Sequence, residues 1–308
     1  MPIFDEYCNV EIEELLSQGK YDEALKLIQG QDEESRLSRA FILIKAKKYE
    51  EALDELKGIT RSEADYLRFE AYRSLGREKE AEDELKAGIS KSPYNHVLYY
   101  TLAEYQYSLG KLKDALENIN KALEIMPLSY DYKYLKAKIL FALGEYEDAT
   151  IYINDVLALN PKNVEARLMK ALCYYNVGLK MDALSEVNKA IDLKKDDPAL
   201  HALKGRIYYE TGFHKLALSE YKTALRLDPN NPDYAYHVAL CYHVLSLNQD
   251  ALMFIDKALG LSQNSPQYLA LKARILKALG DLSGAKAIAE KAVSLDSSVR
   301  GQLEDLLS

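Results

Sequence analysis

The sequence predicts an all-α solenoid of antiparallel helix pairs, and three observations carry that expectation. Ala81, Ala115, Ala149, Ala183, Ala217, Ala251 and Ala285 stand 34 residues apart, each inside a stretch like GKLKDALENINKALEIMP at 110–127. A fixed period of roughly 20–50 residues marks repeat architectures. Each interval holds two apolar-periodic halves separated by a break, which is the pattern of two amphipathic helices. Around Ala115 these halves cover 96–109 and 113–126. The break carries a glycine five residues before the alanine: Gly19, Gly76, Gly110, Gly144, Gly178, Gly212 and Gly280, with Lys47 and Ser246 as exceptions. Glycine there ends the first helix in the left-handed conformation and closes a tight hairpin.

Two further copies centre on Ala52 and Ala24, at intervals of 29 and 28, so nine hairpins are expected. The second helices of these two short copies are expected to end near Gly30 and Gly58. Small residues mark where helices touch. Ala40, Ala103, Ala137, Ala171, Gly205, Ala239 and Ala273 lie twelve before the central alanine, and Gly88, Ala122, Ala190, Ala224, Ala258 and Ala292 lie seven after it. A minimal side chain lets helix axes approach to about 8 Å. Pro93, Pro127, Pro161 and Pro229 stop second helices, because proline has no N–H to donate. Asp197-Pro198, Asn231-Pro232 and Ser265-Pro266 pair an N-cap with proline at the first helical position.

At 308 residues a single globular core would be near its size limit. An array of repeats buries surface only between neighbours and escapes that limit. The net charge of −8 argues against a nucleic-acid partner, whose phosphates need a basic surface. Cys8, Cys173 and Cys241 show no disulfide-like spacing and are expected to be reduced and buried. The opening MPIFDEYCNVEIEE has neither a basic nor an apolar leader region, so no signal peptide is expected. No apolar run approaches the ~20 residues that span a bilayer. A cytoplasmic chain without membrane insertion is the expectation.

Helix pairs of 34 residues with Gly/Ala, Gly, Ala, Ala and Pro at these spacings resemble the tetratricopeptide repeat, over roughly residues 5–296. No tryptophan opens a first helix, and the first two intervals lack five or six linker residues; both depart from the family pattern. The resemblance implies a right-handed superhelix whose first helices line the concave face. It implies one array over 1–308: irregular repeats at about 5–60, regular repeats at about 62–296, and a capping helix at 297–308. Val299, Leu303, Leu306 and Leu307 would form the stripe by which that cap seals the last repeat.

The resemblance also places two columns of side chains on the concave face. Eight before the alanine stand Tyr107, Phe141, Tyr175, Tyr209 and His243; fifteen before it stand Tyr66, Tyr100, Tyr134 and Tyr236. Tyrosine gives contact area at low entropic cost and is enriched at binding hot spots. The chain holds 24 Tyr against 6 Phe and no Trp. Tyr72, Tyr174, Tyr208 and Tyr242, nine before the alanine, read as core instead. Charge is uneven: residues 1–150 carry 30 acidic and 21 basic side chains, residues 151–308 carry 18 and 19. Candidate groove charges follow, with Glu63, Glu70 and Glu104 early and Lys138, Arg206, Arg274 and Lys277 later. A partner segment basic at one end and acidic at the other would complement that trend. Arg39, Arg68, Lys136, Lys170, Lys204 and Lys272, thirteen before the alanine, are expected to cover the helix pair with their stems and turn their charges outwards.

Some tetratricopeptide proteins grip a C-terminal carboxylate with Lys and Asn on successive first helices. The matching places here hold Tyr66, Glu70, Tyr100 and Glu104, and an asparagine ladder is missing too. No phosphate-cradling glycine loop, GxSxG, HExxH or CxxC occurs. His237 and Cys241, one turn apart, are too few ligands for zinc. The expected function is a non-catalytic scaffold or adaptor, without cofactor, that holds a peptide or helical segment of a protein partner. The alternative is a structural spacer or self-association platform. Partner identity and oligomeric state are not encoded in any motif of this sequence.

Overall fold

The computed structural model describes residues 10–307, which fall into two compact units divided between Glu145 and Tyr146. Among the described residues there is no strand. The first unit comprises α1 (Val10–Ser17), α2 (Tyr21–Lys26), α3 (Glu33–Lys45), α4 (Tyr49–Glu55), α5 (Ser62–Ser74), α6 (Glu78–Lys91), α7 (His96–Ser108), α8 (Leu112–Ile125) and α9 (Tyr130–Leu143). The second comprises α10 (Tyr146–Leu159), α11 (Val164–Asn176), α12 (Lys180–Leu193), α13 (Pro198–Glu210), α14 (His214–Leu227), α15 (Pro232–Val244), α16 (Asn248–Leu261), α17 (Pro266–Ala278) and α18 (Leu282–Leu295). A 3₁₀ turn (Ser297–Gln302) and α19 (Glu304–Leu307) close it. Within each unit consecutive helices pack as antiparallel hairpins, and each hairpin packs on the next.

The caps explain where helices begin. Most first helices are capped by side chains: Asp32, Asn95, Ser129, Asn163, Asp197, Asn231 and Ser265 each accept from a backbone N–H of the first turn, with α5, preceded by Arg61, an exception. Most second helices have no side-chain cap, and the break before them closes the C-terminal end of the first helix instead. The Gly110 N–H donates to the Tyr107 carbonyl and the Lys111 N–H to that of Gln106, at 3.0 and 2.9 Å. This is the paired bond set of a left-handed helix end. Gly110 has φ 72°, and the two non-glycine exceptions, Lys47 and Ser246, are forced to the same conformation at 61° and 62°.

Burial follows the small-residue code. Every central alanine from Ala24 to Ala285 is fully buried. Gly205 on α13 shows why that place stays small: a Cβ there would lie 3.1 Å from the ring of buried Tyr221. The first unit's core centres on Leu37, Leu56, Phe69, Leu85 and Leu102. The second unit's centres on Tyr221, Val238, Ile255 and Ile275.

Two sequence expectations shift. The short second helices end at Lys26 and Glu55, before Gly30 and Gly58 are reached. The expected cap helix splits into the 3₁₀ turn and α19, and the turn contains Gly301, a poor helix former. Val299, Leu303 and Leu306 still seal against α17 and α18. Cys8 lies outside the described residues.

Candidate functional site

In the first unit, α5 and α7 leave a cleft of about 380 Å³ between them. Tyr66, Phe69, Glu70 and Arg73 line it from α5; Val97, Tyr100, Thr101, Glu104, Tyr105 and Ser108 line it from α7. Spacings of three and four along each helix put these side chains on one face. Phe69 and Tyr105 meet edge-on at 5.2 Å, with Tyr66 tilted against Phe69 at 6.0 Å. Tyr66 hydrogen-bonds Glu70, and the Tyr100 hydroxyl donates to Glu104 at 3.4 Å. Arg73 donates to Glu70 at 2.8 Å while its guanidinium lies 5.5 Å over the Phe69 ring. Burial, then the neighbouring carboxylates, push both phenols well above the usual tyrosine range. They are therefore neutral donors at any ordinary pH.

Two of the sequence-predicted tyrosines, Tyr66 and Tyr100, thus meet in one cleft, together with the acidic pair Glu70 and Glu104. Tyr66 is only 6% exposed, so it forms wall and floor more than open surface. Tyr100 also stacks on Tyr132 of α9 at 4.7 Å. Tyr134 and Lys138 meet on α9, with the ammonium 4.3 Å over the ring. Tyr107 is half-buried against the α7–α9 core, and Phe141 is half-buried on α9. Neither reaches the cleft lining.

Sequence reasoning missed a second depression, of about 420 Å³, between α6, α7 and α8. Its lining is polar, with Glu82, Lys86, Gln106, Asp114, Glu117, Asn118 and Lys121. Burial alone would raise the Glu82 pKa, but hydrogen bonds from Lys111, Lys86 and Gln106 hold it down at about 2.

In the second unit the predicted residues take different partners. The Tyr175 hydroxyl donates to Glu210, which also pairs with Lys180 at 3.0 Å and Arg206 at 3.4 Å. The Arg206 guanidinium lies 4.8 Å over the Tyr175 ring. Tyr236 stacks on Tyr268 at 5.0 Å and stands edge-on to His237. Tyr209 lies 5.1 Å from the His214 ring. Burial raises the pKa of both Tyr209 and Tyr236, while the positive field of Arg274 opposes it. Arg274 is exposed and makes no ion pair among the described residues. His243 is tied to Asn248 at 2.8 Å.

The basic column does not simply turn outwards. Arg39 pairs with Glu55, Arg68 with Glu84, Lys170 with Glu186 and Lys204 with Glu220, at 2.8, 2.7, 3.4 and 3.0 Å. Each acid stands three after the central alanine of the same copy, so the pairing tethers the two helices of one hairpin. That column of glutamates was the signal in the sequence. Lys272 instead reaches back to Asp256 at 2.7 Å.

His237 stacks nearly parallel on Tyr221 at 4.8 Å, and burial lowers its pKa to about 4. Cys173 and Cys241 are free and buried, and burial pushes their thiols up to about 11 and about 12. Such thiols are poor nucleophiles. Among the described residues no three His, Cys, Asp or Glu side chains gather as a metal site, and no helix is long and apolar enough to cross a membrane.

Comparison with family models matches residues 140–207 and 266–299 to tetratricopeptide repeat models and 205–245 to a TPR repeat model. Residues 81–156 match a model of anaphase-promoting complex, cyclosome, subunit 3. No curated protein matches the chain. Among solved structures, a tetratricopeptide repeat protein from Parabacteroides merdae is 21% identical with a TM-score of 0.63, over 80% of this chain and 99% of that one. PilF of Pseudomonas aeruginosa is 19% identical with a TM-score of 0.59, over 73% and 97%. YrrB, described as a TPR protein with an unusual peptide-binding site, is 21% identical with a TM-score of 0.52, over 62% and 99%. At these identities the likeness is one of fold.

Proposed function

Because the chain is a tetratricopeptide repeat protein, we propose that it is a non-catalytic scaffold holding a peptide or helical segment of a protein partner against the tyrosine-bearing faces of its first helices. The observation that carries this reading is the α5–α7 cleft, where two residues of the tyrosine columns, Tyr66 and Tyr100, stand among aromatic walls. Concave sites with aromatic linings and a few placed polar groups are where binding energy concentrates. The described peptide-binding site of YrrB, on the same fold, supports a peptide-like ligand. The candidate contacts are Tyr66, Tyr100, Tyr107, Tyr134, Lys138 and Phe141 in the first unit. In the second they are Tyr175, Arg206, Tyr209, Tyr236, His243 and Arg274. Buried, unpaired thiols fit a cytoplasmic setting.

The test replaces Tyr100, Tyr134 and Tyr175 together with alanine. Affinity capture followed by mass spectrometry should recover a partner with wild type and lose it with the triple variant, at unchanged helix content. Undiminished capture would move the contact elsewhere and favour a spacer or self-association platform.

A further inference from the structure

Resting on the scaffold reading, we infer that the α5–α7 cleft of the first unit is a pocket for one basic side chain, arginine or lysine, of the held protein segment. The floor is aromatic: Tyr66 and Tyr105, 6% and 7% exposed, close over a fully buried Phe69 that Tyr105 meets edge-on. The aliphatic stem of a long basic side chain can lie along the exposed edges of Tyr66 and Tyr105 and against half-buried Tyr100. The mouth is acidic. Glu70 and Glu104 stand one helical turn beyond Tyr66 and Tyr100 and each receives a phenol hydrogen. A carboxylate accepts at both oxygens, so this bond fixes each group and leaves it able to accept further donors.

The chain already displays the matching chemistry. Arg73 rests over Phe69 and donates to Glu70, which pairs a guanidinium with both an aromatic face and a carboxylate of this cleft. The Glu70 charge is thereby offset by Arg73. Glu104 is exposed, and its hydrogen-bond partner among the described residues is the Tyr100 hydroxyl at a long 3.4 Å. An incoming cation meets Glu104. A partner carboxylate would face two like charges against the single Arg73, and an apolar side chain would desolvate Glu104 without pairing it; both are disfavoured. The phenols, raised in pKa by burial and by these carboxylates, stay neutral and donating across the physiological range.

The full-length chain, screened against a displayed library of random peptides, should select sequences with arginine or lysine at one shared position. For a synthesised selected peptide, Glu104→Gln should weaken binding about tenfold, the scale of a lost charge-assisted hydrogen bond. A peptide with that basic residue changed to glutamine should bind wild type and Glu104→Gln alike. Glu104→Lys should turn the selection towards acidic peptides. Glu104 is exposed, so neither change threatens folding. Peptides that bind, are lost with the tyrosine triple variant, yet need no basic residue or ignore Glu104 would overturn the pocket and leave the scaffold reading standing. A library that yields no binder to wild type, or binders that the triple variant keeps, would remove both.

Discussion

In the first unit the phenols of Tyr66 and Tyr100 end on Glu70 and Glu104; in the second, Tyr175 ends on Glu210, already met by Lys180 and Arg206. Tyr209 and Tyr236 lie in the field of Arg274. One place in the repeat follows the contrast. Eleven before the central alanine stand Glu70, Glu104 and then Lys138 in the first unit, and Leu172, Arg206, Leu240 and Arg274 in the second. The repeat fixes where a first helix presents its side chains, and the residue at this place makes the local charge negative on α5 and α7 and positive on α9, α13 and α17. A scaffold can therefore vary its ligand preference along its length without altering a helix.

The buried charges offer the largest lever on this comparison. Asp65, with no exposure, pairs with Arg68 and Lys91, and Arg68 keeps Glu84 if Asp65 is lost. Glu186, 5% exposed, is the shared partner of Arg167, Lys170 and Lys189. Removing it takes the shared carboxylate from three cations at once, with Arg167 keeping the Pro161 carbonyl. Glu186→Ala should cost about 4 kcal/mol and Asp65→Ala about 3, following the range for breaking buried pairs. Hydrogen exchange of α11–α12 against α5–α6 measures both locally, which suits a repeat array better than one global transition. A larger loss for Asp65→Ala would show that Arg68 does not fall back on Glu84.

Acid should separate the units next. His237 is held neutral, with its pKa near 4 instead of the ordinary 6.5. Between those values the unfolded chain binds the proton and the native state does not, so stability falls as pH drops from 6.5 to 4. At pH 5 the loss is about 2 kcal/mol. Glu82 in the first unit is ionised down to about 2, so its contribution is present above 4.5 and lost as pH falls from 4.5 to 2. Its cations Lys86 and Lys111 are about half exposed, and screening limits that contribution to about 1 kcal/mol. Melting curves from pH 7 to 3 should lose their slope above pH 4.5 in His237→Phe and below it in Glu82→Gln. A first-unit transition at pH 5–6 would reverse this order.

Much of this was legible in the sequence, because the period converts one helix's register into all the others. The hairpins, the buried alanines and the left-handed breaks follow from that register. The Glu55, Glu84, Glu186 and Glu220 partners share one place in their copies, but the basic column read alone looked merely amphipathic. The cleft was only half visible. Spacing places Tyr66 and Glu70 on one face, but whether Tyr66 stands open or sinks to 6% exposure depends on how α5 and α7 lean together. Phe69 and Tyr105, which complete the walls, lie outside both columns.

The smallest expected effect asks whether the irregular start of the first unit behaves like the regular repeats of the second. Lys47 and Ser246 occupy the place that glycine fills in the other copies, at φ 61° and 62°. Both close the same bond set: Lys47 N–H to Ile44 and Lys48 N–H to Leu43 at 3.0 and 2.8 Å, Ser246 N–H to His243 and Leu247 N–H to Tyr242 at 2.9 Å each. A side chain in this conformation costs about 1 kcal/mol, and glycine's extra freedom in the unfolded chain offsets part of the gain from removing it. Lys47→Gly and Ser246→Gly should each stabilise by about 0.5 kcal/mol, read as a small rise in melting temperature. Equal gains would mean that the shortened copy closes its hairpin as the regular copies do. A gain at Ser246 alone would locate a compensating contact for Lys47 within the short repeat, and the likeness between the two units would end at that turn.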